Sequence, residues 1–184
     1  MASVWLSRKE SVYTYPVGLI NTSFYVYLSF VNHLPGEATV NFYYTIMSLY
    51  GWYMWALKNE KHEKVLHITF SNKRSWIFQL LFFSAIFTGS YFAIALLQKY
   101  FWPGAIPWAD AFATATAFTG MWLMTRKKVE SWYWWIATNT VSIPLYYVKG
   151  LSLTSGYYAI LLVFAFWGLA AWKKKAKTHS RIST

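Results

Sequence analysis

The sequence predicts an all-α integral membrane protein in a 3+1+3 order. Two parallel three-helix repeats flank one linking helix, with six complete spans and the remnant of a first. Three observations predict this. The 184 residues include 12 Trp, 15 Tyr and 14 Phe but only 12% charged residues, about half the share of an average soluble domain. Basic residues fall on one side of successive spans. The two halves share residues at a fixed offset. There is no Cys, which excludes a disulfide framework and thiolate metal sites.

Taken in order, residues 1–7 have neither the basic leader nor the apolar core of a secretory signal. They read as the cytoplasmic end of a span whose beginning is absent, so a seven-span parent is expected. Apolar stretches follow at 12–31, 38–57, 75–97, 107–125, 131–148 and 154–172, each near the roughly 20 residues that cross a bilayer core. They are separated by Pro35-Gly36-Glu37, the run from Lys58 to Arg74, Trp102-Pro103-Gly104 with Pro107, Arg126-Lys127-Lys128 and Lys149-Gly150. The Lys58–Arg74 run is expected to be a solvated loop. Pro144, and Pro16 likewise, are expected to kink their helices by removing a backbone hydrogen bond, with Pro144 a candidate gating hinge.

The charge pattern gives the orientation. Of the 17 basic residues, 15 lie on the side where the chain enters its first complete span; only Lys99 and Lys149 lie on the other. Short basic loops face the cytoplasm. The net charge of +11 is therefore a topology signal spread over loops and a tail, and a nucleic-acid groove is excluded.

A shift of 118 places Ser7-Arg8-Lys9 on Thr125-Arg126-Lys127, Tyr15 on Tyr133 and Asn21-Thr22 on Asn139-Thr140. A shift of 117 places Gly51 and Trp55 on Gly168 and Trp172. The expected organisation is a first half-repeat at 1–57, a loop and linking helix at 58–106, a second half-repeat at 107–172 and a basic cytoplasmic tail at 173–184. A single linking span gives both halves the same orientation, as in transporter folds.

The spans contain no Lys or Arg, and Asp110 is their only acid, near an outer end. Trp132, Trp135 and Asn139 share a helical face at i, i+3 and i+7. Two indoles and an amide suit a flat ring, including a cationic one, although Trp also anchors interfaces and Asn also bonds helices. Asn41 with Tyr44, and Gln79, are further binding candidates; for Gln79 a helix–helix hydrogen bond competes. Asp110 and Glu130 are expected to cap their own helices. His62-Glu63 with His67 has the wrong spacing for a zinc protease, and Asn21-Thr22-Ser23 lies within a span, so neither a metal site nor glycosylation is expected. No catalytic set or cofactor motif is visible. A site without His or acid near mid-membrane implies uncoupled movement down a gradient. A site without Arg or Lys implies a substrate without phosphate.

Tyr-Pro-x-Gly at 15–18, Tyr-Gly-Trp-Tyr-x-Trp at 50–55 and Arg-Lys-x-x-Glu-Ser-Trp-x-x-Trp at 126–135 followed by Asn139 resemble the PnuC family of nicotinamide riboside transporters. The resemblance runs from Ser3 to about Lys175. It implies seven helices in a 3+1+3 order, related to SWEET sugar transporters, in a bacterial inner membrane. Most of the family's first helix is missing here. It implies facilitated diffusion of nicotinamide riboside for NAD biosynthesis, with trapping by a separate cytoplasmic riboside kinase. By the family pattern Trp132, Trp135 and Asn139 are substrate-binding residues, with Tyr44, Asn41 and Gln79 beside them. Thiamine, riboflavin or a sugar are alternative solutes, and a non-transporting membrane scaffold is the alternative of another class. Oligomeric state is left open.

Overall fold

The structure, a computed structural model, describes residues 2–31, 35–57, 65–98 and 105–182. Lys58, Lys61, Lys64, Lys99, His33, His62 and the Trp102–Gly104 turn lie outside the described residues. Seven helices and no strands are found among the described residues: α1 (Ala2–Arg8), α2 (Thr14–Val31), α3 (Pro35–Ala56), α4 (Lys73–Gln98), α5 (Pro107–Thr125), α6 (Ser131–Val148) and α7 (Ser152–Ile182). Two proline positions have simple reasons. Pro35 opens α3, where the missing N–H costs nothing. Pro16 falls in the first turn of α2 and so does not kink a span. Pro144 lies inside α6, on its exposed side.

α4 and the Ser152–Thr178 part of α7 combine the length and apolar character of a membrane-spanning helix. The other long helices carry more Tyr, Trp and Thr, which lowers mean hydropathy without adding charge. Large apolar side chains such as Ile20, Phe24, Phe42, Leu81, Phe92, Leu96, Val163 and Phe166 face outward. A bilayer, and not water, suits a surface of that kind.

Helix packing runs from α1 to α2, α2 to α3, α3 to α5, α5 to α6, α6 to α7 and α7 back to α1. Six helices thus close a ring. α4 packs outside it, on α5. The contacts at the ring's basic end recur at one offset, 117. α1 and α5 both end with a left-handed residue, Glu10 (φ 63°) and Lys127 (φ 51°). In each case the left-handed residue and the one after it donate backward into the helix end: Glu10 N–H to Ser7 O and Ser11 N–H to Leu6 O, Lys127 N–H to Met124 O and Lys128 N–H to Leu123 O. This satisfies carbonyls that a helix end leaves open. Glu10 and Lys127 then meet each other at 2.7 Å, with the lysine 1% exposed and also donating to Leu66 O.

The same offset relates the aromatic core. Tyr15 meets Trp55 edge-on at 5.1 Å, and Trp132 meets Trp172 edge-on at 5.6 Å. The Tyr15 ring lies against Gly51 and the Trp132 ring against Gly168, so close that a Cβ on either glycine would overlap the ring. Trp55 Nε1 donates to the carbonyls of Met124 and Thr125; Trp172 Nε1 donates to that of Ser7. The two indoles touch at 6.0 Å. The shift of 118 at the first helix of each pair is therefore one residue too long. Tyr15 corresponds to Trp132, and Asn139 to Thr22. Asn21 is exposed.

Two further expectations change. The described end of the Lys58–Arg74 run is a strap and not a solvated loop. Ile68 is buried in the aromatic core, and Thr69 forms an isolated bridge across Lys128, exchanging bonds with Lys127 O and Val129 N–H. The basic tail continues α7 as helix, with Ala176 buried and Lys175 3.2 Å from Glu10. Fitting a methyl group into either glycine contact forces the ring to move, at about 1–3 kcal/mol. Gly51→Ala and Gly168→Ala should each lower the melting temperature in detergent. Gly156→Ala, whose Cβ meets nothing, should not.

Candidate functional site

α6 carries three tryptophans within four residues, and helical geometry sends them to different places. Trp132 is 1% exposed and sealed into the aromatic core; its Nε1 has no hydrogen-bond partner among the described residues. Trp134 turns to α4. Its Nε1 donates to Gln79 Oε1 at 3.0 Å, and its ring lies 5.2 Å from Phe83. Trp135 turns toward α3 and α5. Its ring lies 6.5 Å from Tyr44, tilted by 32°, and rests on Gly120.

Phe118 and Tyr43 complete the wall between α3 and α5. Tyr43 stacks on Phe118 at 3.9 Å and donates its hydroxyl to the Phe118 carbonyl at 2.9 Å. Tyr44 meets Phe118 edge-on at 6.0 Å. Asn139 stands one turn beyond Trp135 on α6 and is 4% exposed. The Tyr44 hydroxyl, the Trp135 Nε1 and the Asn139 amide make no side-chain hydrogen bond among the described residues, yet they are not sealed off as Trp132 Nε1 is. Neighbouring hydroxyls are satisfied: Thr138 pairs with Thr116 at 2.9 Å. Trp135 and Asn139 share one face of α6, and the Trp135 ring lies beside Tyr44 of α3. In the first half, the positions matching Trp135 and Asn139 are the smaller Gly18 and Thr22, and a Cβ on Gly18 would meet only Ser48 Oγ, at 3.8 Å. Two open grooves, of about 590 and 710 Å³, include none of these residues and lie at the basic end.

The structure therefore brings together Trp135, Asn139 and Tyr44, with half-buried Asn41 one turn away on α3. It does not bring Trp132 to them. Gln79 is fully buried but lies on the outer helix. Both ends of its amide are engaged, donating to Ser71 and Ser75 and accepting from Trp134. Glu130 does not cap its own helix. It accepts the Ser71 N–H and hydroxyl at 2.9 and 2.8 Å, tying the strap to α6. Asp110 does hold the start of α5, accepting the Ile106 N–H at 2.7 Å, and also pairs with Lys149 at 2.6 Å. Sequence reasoning missed Phe118 and Gly120. Gly120 carried a signal, a glycine amid the apolar face of a span, where only a missing side chain lets a large ring approach.

Residues 1–174 match the family model described as nicotinamide mononucleotide transporter. The chain belongs to this family, the PnuC transporters. Its members are transporters and not enzymes. The chain is 26% identical to the riboflavin/roseoflavin transporter RibM of Streptomyces davaonensis, over 96% of this chain and 81% of that one. It is 24% identical to the nicotinamide riboside transporter PnuC of Escherichia coli, over 95% and 81%. The crystal structure of the vitamin B3 transporter PnuC shares its fold at 23% identity, with a TM-score of 0.68 over 96% of this chain and 78% of that one.

Within this PnuC-family fold the two adjacent tyrosines differ in their contacts: Tyr43 donates to the Phe118 carbonyl and Tyr44 does not. Tyr43→Phe removes a helix–helix hydrogen bond worth about 1 kcal/mol and should lower thermal stability. Tyr44→Phe should leave stability within error and weaken ligand binding instead. Melting curves and a binding titration on both variants read the two effects.

Proposed function

We propose that this chain carries nicotinamide riboside across a bacterial inner membrane by facilitated diffusion, supplying NAD biosynthesis. The observation that supports it best is the set of polar side chains, Tyr44, Trp135 and Asn139, that make no side-chain hydrogen bond among the described residues and lie beside the Tyr43–Phe118 rings. The riboside's flat, cationic pyridinium ring suits the face of Trp135, where a cation gains about 1–2 kcal/mol when desolvated. Its carboxamide matches the Asn139 amide, and its ribose hydroxyls match Tyr44 and Asn41. The family description names the mononucleotide, yet no Arg or Lys stands among these groups to pair a phosphate. An unpaired phosphate buried there would be rejected. A separate cytoplasmic kinase would then trap the solute.

In this proposal the basic end faces the cytoplasm, as the 15-to-2 distribution of Lys and Arg supports. The two three-helix units cross the membrane in parallel, with α4 linking them. The Trp55–Trp172 contact closes the cytoplasmic end in the state described, and Lys149–Asp110 ties α5 to α6 at the other. No ion coupling is assigned. The only acid within the apolar stretches, Asp110, is already held by Lys149 and the Ile106 N–H.

Calorimetric titration with nicotinamide riboside, the mononucleotide, riboflavin and thiamine tests the substrate. Riboside should bind selectively, with affinity falling about tenfold in Trp135→Ala and in Asn139→Ala. Preference for riboflavin would move the assignment to the solute named for RibM. In proteoliposomes, riboside entry should follow its own gradient and be unchanged by a protonophore or by exchanging sodium for potassium. Uptake that collapses with the proton gradient would overturn the uncoupled mechanism.

A further inference from the structure

The 710 Å³ groove at the basic end lies between α4 and α5, outside the helix ring and away from the Trp135 space. Two guanidiniums stand at its mouth. Arg74 comes from the first turn of α4 and Arg126 from the residue that ends α5. Each is laid over a ring that lines the same groove: Arg74 over Phe78 at 5.8 Å, Arg126 over Trp122 at 4.9 Å. Neither guanidinium has a carboxylate partner among the described residues. The acid nearest in sequence to Arg126, Glu130, is taken up by Ser71. Among the described residues no acid lines the groove, and Ser75 adds a hydroxyl at its edge.

Away from the mouth the lining turns apolar. Phe78, Leu81 and Phe82 descend α4, and Phe82 meets Trp122 of α5 at 5.2 Å. From Arg74 to Phe82 the helix descends about 12 Å. The groove thus has a doubly cationic head and an apolar floor. It opens on the face of α4 that carries exposed Ile77, Phe78, Leu80 and Leu81.

We propose that this groove binds one anionic glycerophospholipid. Its phosphodiester sits between Arg74 and Arg126, and an acyl chain lies along Phe78, Leu81, Phe82 and Trp122. Guanidinium forks match phosphate oxygens in pairs, and basic pockets between spans on the cytoplasmic side hold anionic headgroups. A soluble phosphate would use the mouth and leave the apolar floor bare, so the amphipathic shape favours a lipid. The proposal goes beyond the transported solute and does not depend on it.

Native mass spectrometry of the purified full chain in detergent tests it, and the assay is indifferent to which side of the membrane is cytoplasmic. Phosphatidylglycerol and phosphatidylcholine with identical acyl chains compete for the protein. The wild type should retain phosphatidylglycerol at least about tenfold better, and Arg74→Gln/Arg126→Gln should abolish that preference while Lys173→Gln/Lys174→Gln keeps it. Equal retention of the two lipids by the wild type would overturn the proposal. So would undiminished selectivity in a double arginine variant that melts like the wild type. Displacement of the lipid by an equal concentration of glycerol 3-phosphate would reassign the mouth to a soluble anion and equally overturn it. Should the double variant not fold, the wild-type selectivity and the glycerol 3-phosphate competition still decide.

Discussion

Two indole N–H groups hold the described state together. Trp55 on α3 pairs Thr125 O and adds a donor to Met124 O at the end of α5, and Trp172 on α7 adds a donor to Ser7 O at the end of α1. Every helix ends with carbonyls that its own backbone cannot pair. Here each half supplies a further donor to the other half's helix end. The α1–α7 and α3–α5 packings that close the ring both converge on this contact. The glycines at 51 and 168 follow from it, because the supporting rings of Tyr15 and Trp132 need the room. So does the burial of Lys127. Its charge is acceptable there because Glu10, the Leu66 carbonyl and the Trp55 face surround it.

The duplicated frame carries an unduplicated site. Tyr15 donates its hydroxyl toward Met124 O at 3.5 Å, whereas the matching Trp132 leaves its N–H unpaired. Trp135 and Asn139 face a space whose first-half counterparts are a glycine and a threonine. In the proposed function, this asymmetric lining would give the solute a single orientation. Frame and lining are built from the same few turns of α2 and α6.

Much of the fold was legible because its causes are local. Apolar stretches, their lengths and the prolines and glycines between them place the six long helices within a few residues of where they lie, except that α7 runs ten residues past its expected end. The fine register was not legible. Offsets of 117 and 118 both match several residues in an aromatic-rich chain, and only the paired contacts decide between them. The site was half legible. Helical spacing puts Trp132, Trp135 and Asn139 on one stripe, but spacing cannot tell that Gly168 draws Trp132 into the core. Glu130 misled because its partner Ser71 comes from an element distant in sequence, whereas Gln79 makes the helix–helix hydrogen bond its position suggested. Ile68 was lost inside a charged run, because composition averages over a strap that turns one residue inward.

The pairing of Glu10 with Lys127 bears on how such a molecule could have arisen. Suppose each half once existed as its own chain and assembled in twos. Two copies of the first half would set Glu10 against Glu10; two copies of the second would set Lys127 against Lys127. Each like pair buries repelling charges in a nearly closed core. Only the unlike pair is neutral. The buried contact is thus neutral only because the two halves differ in charge at matching positions.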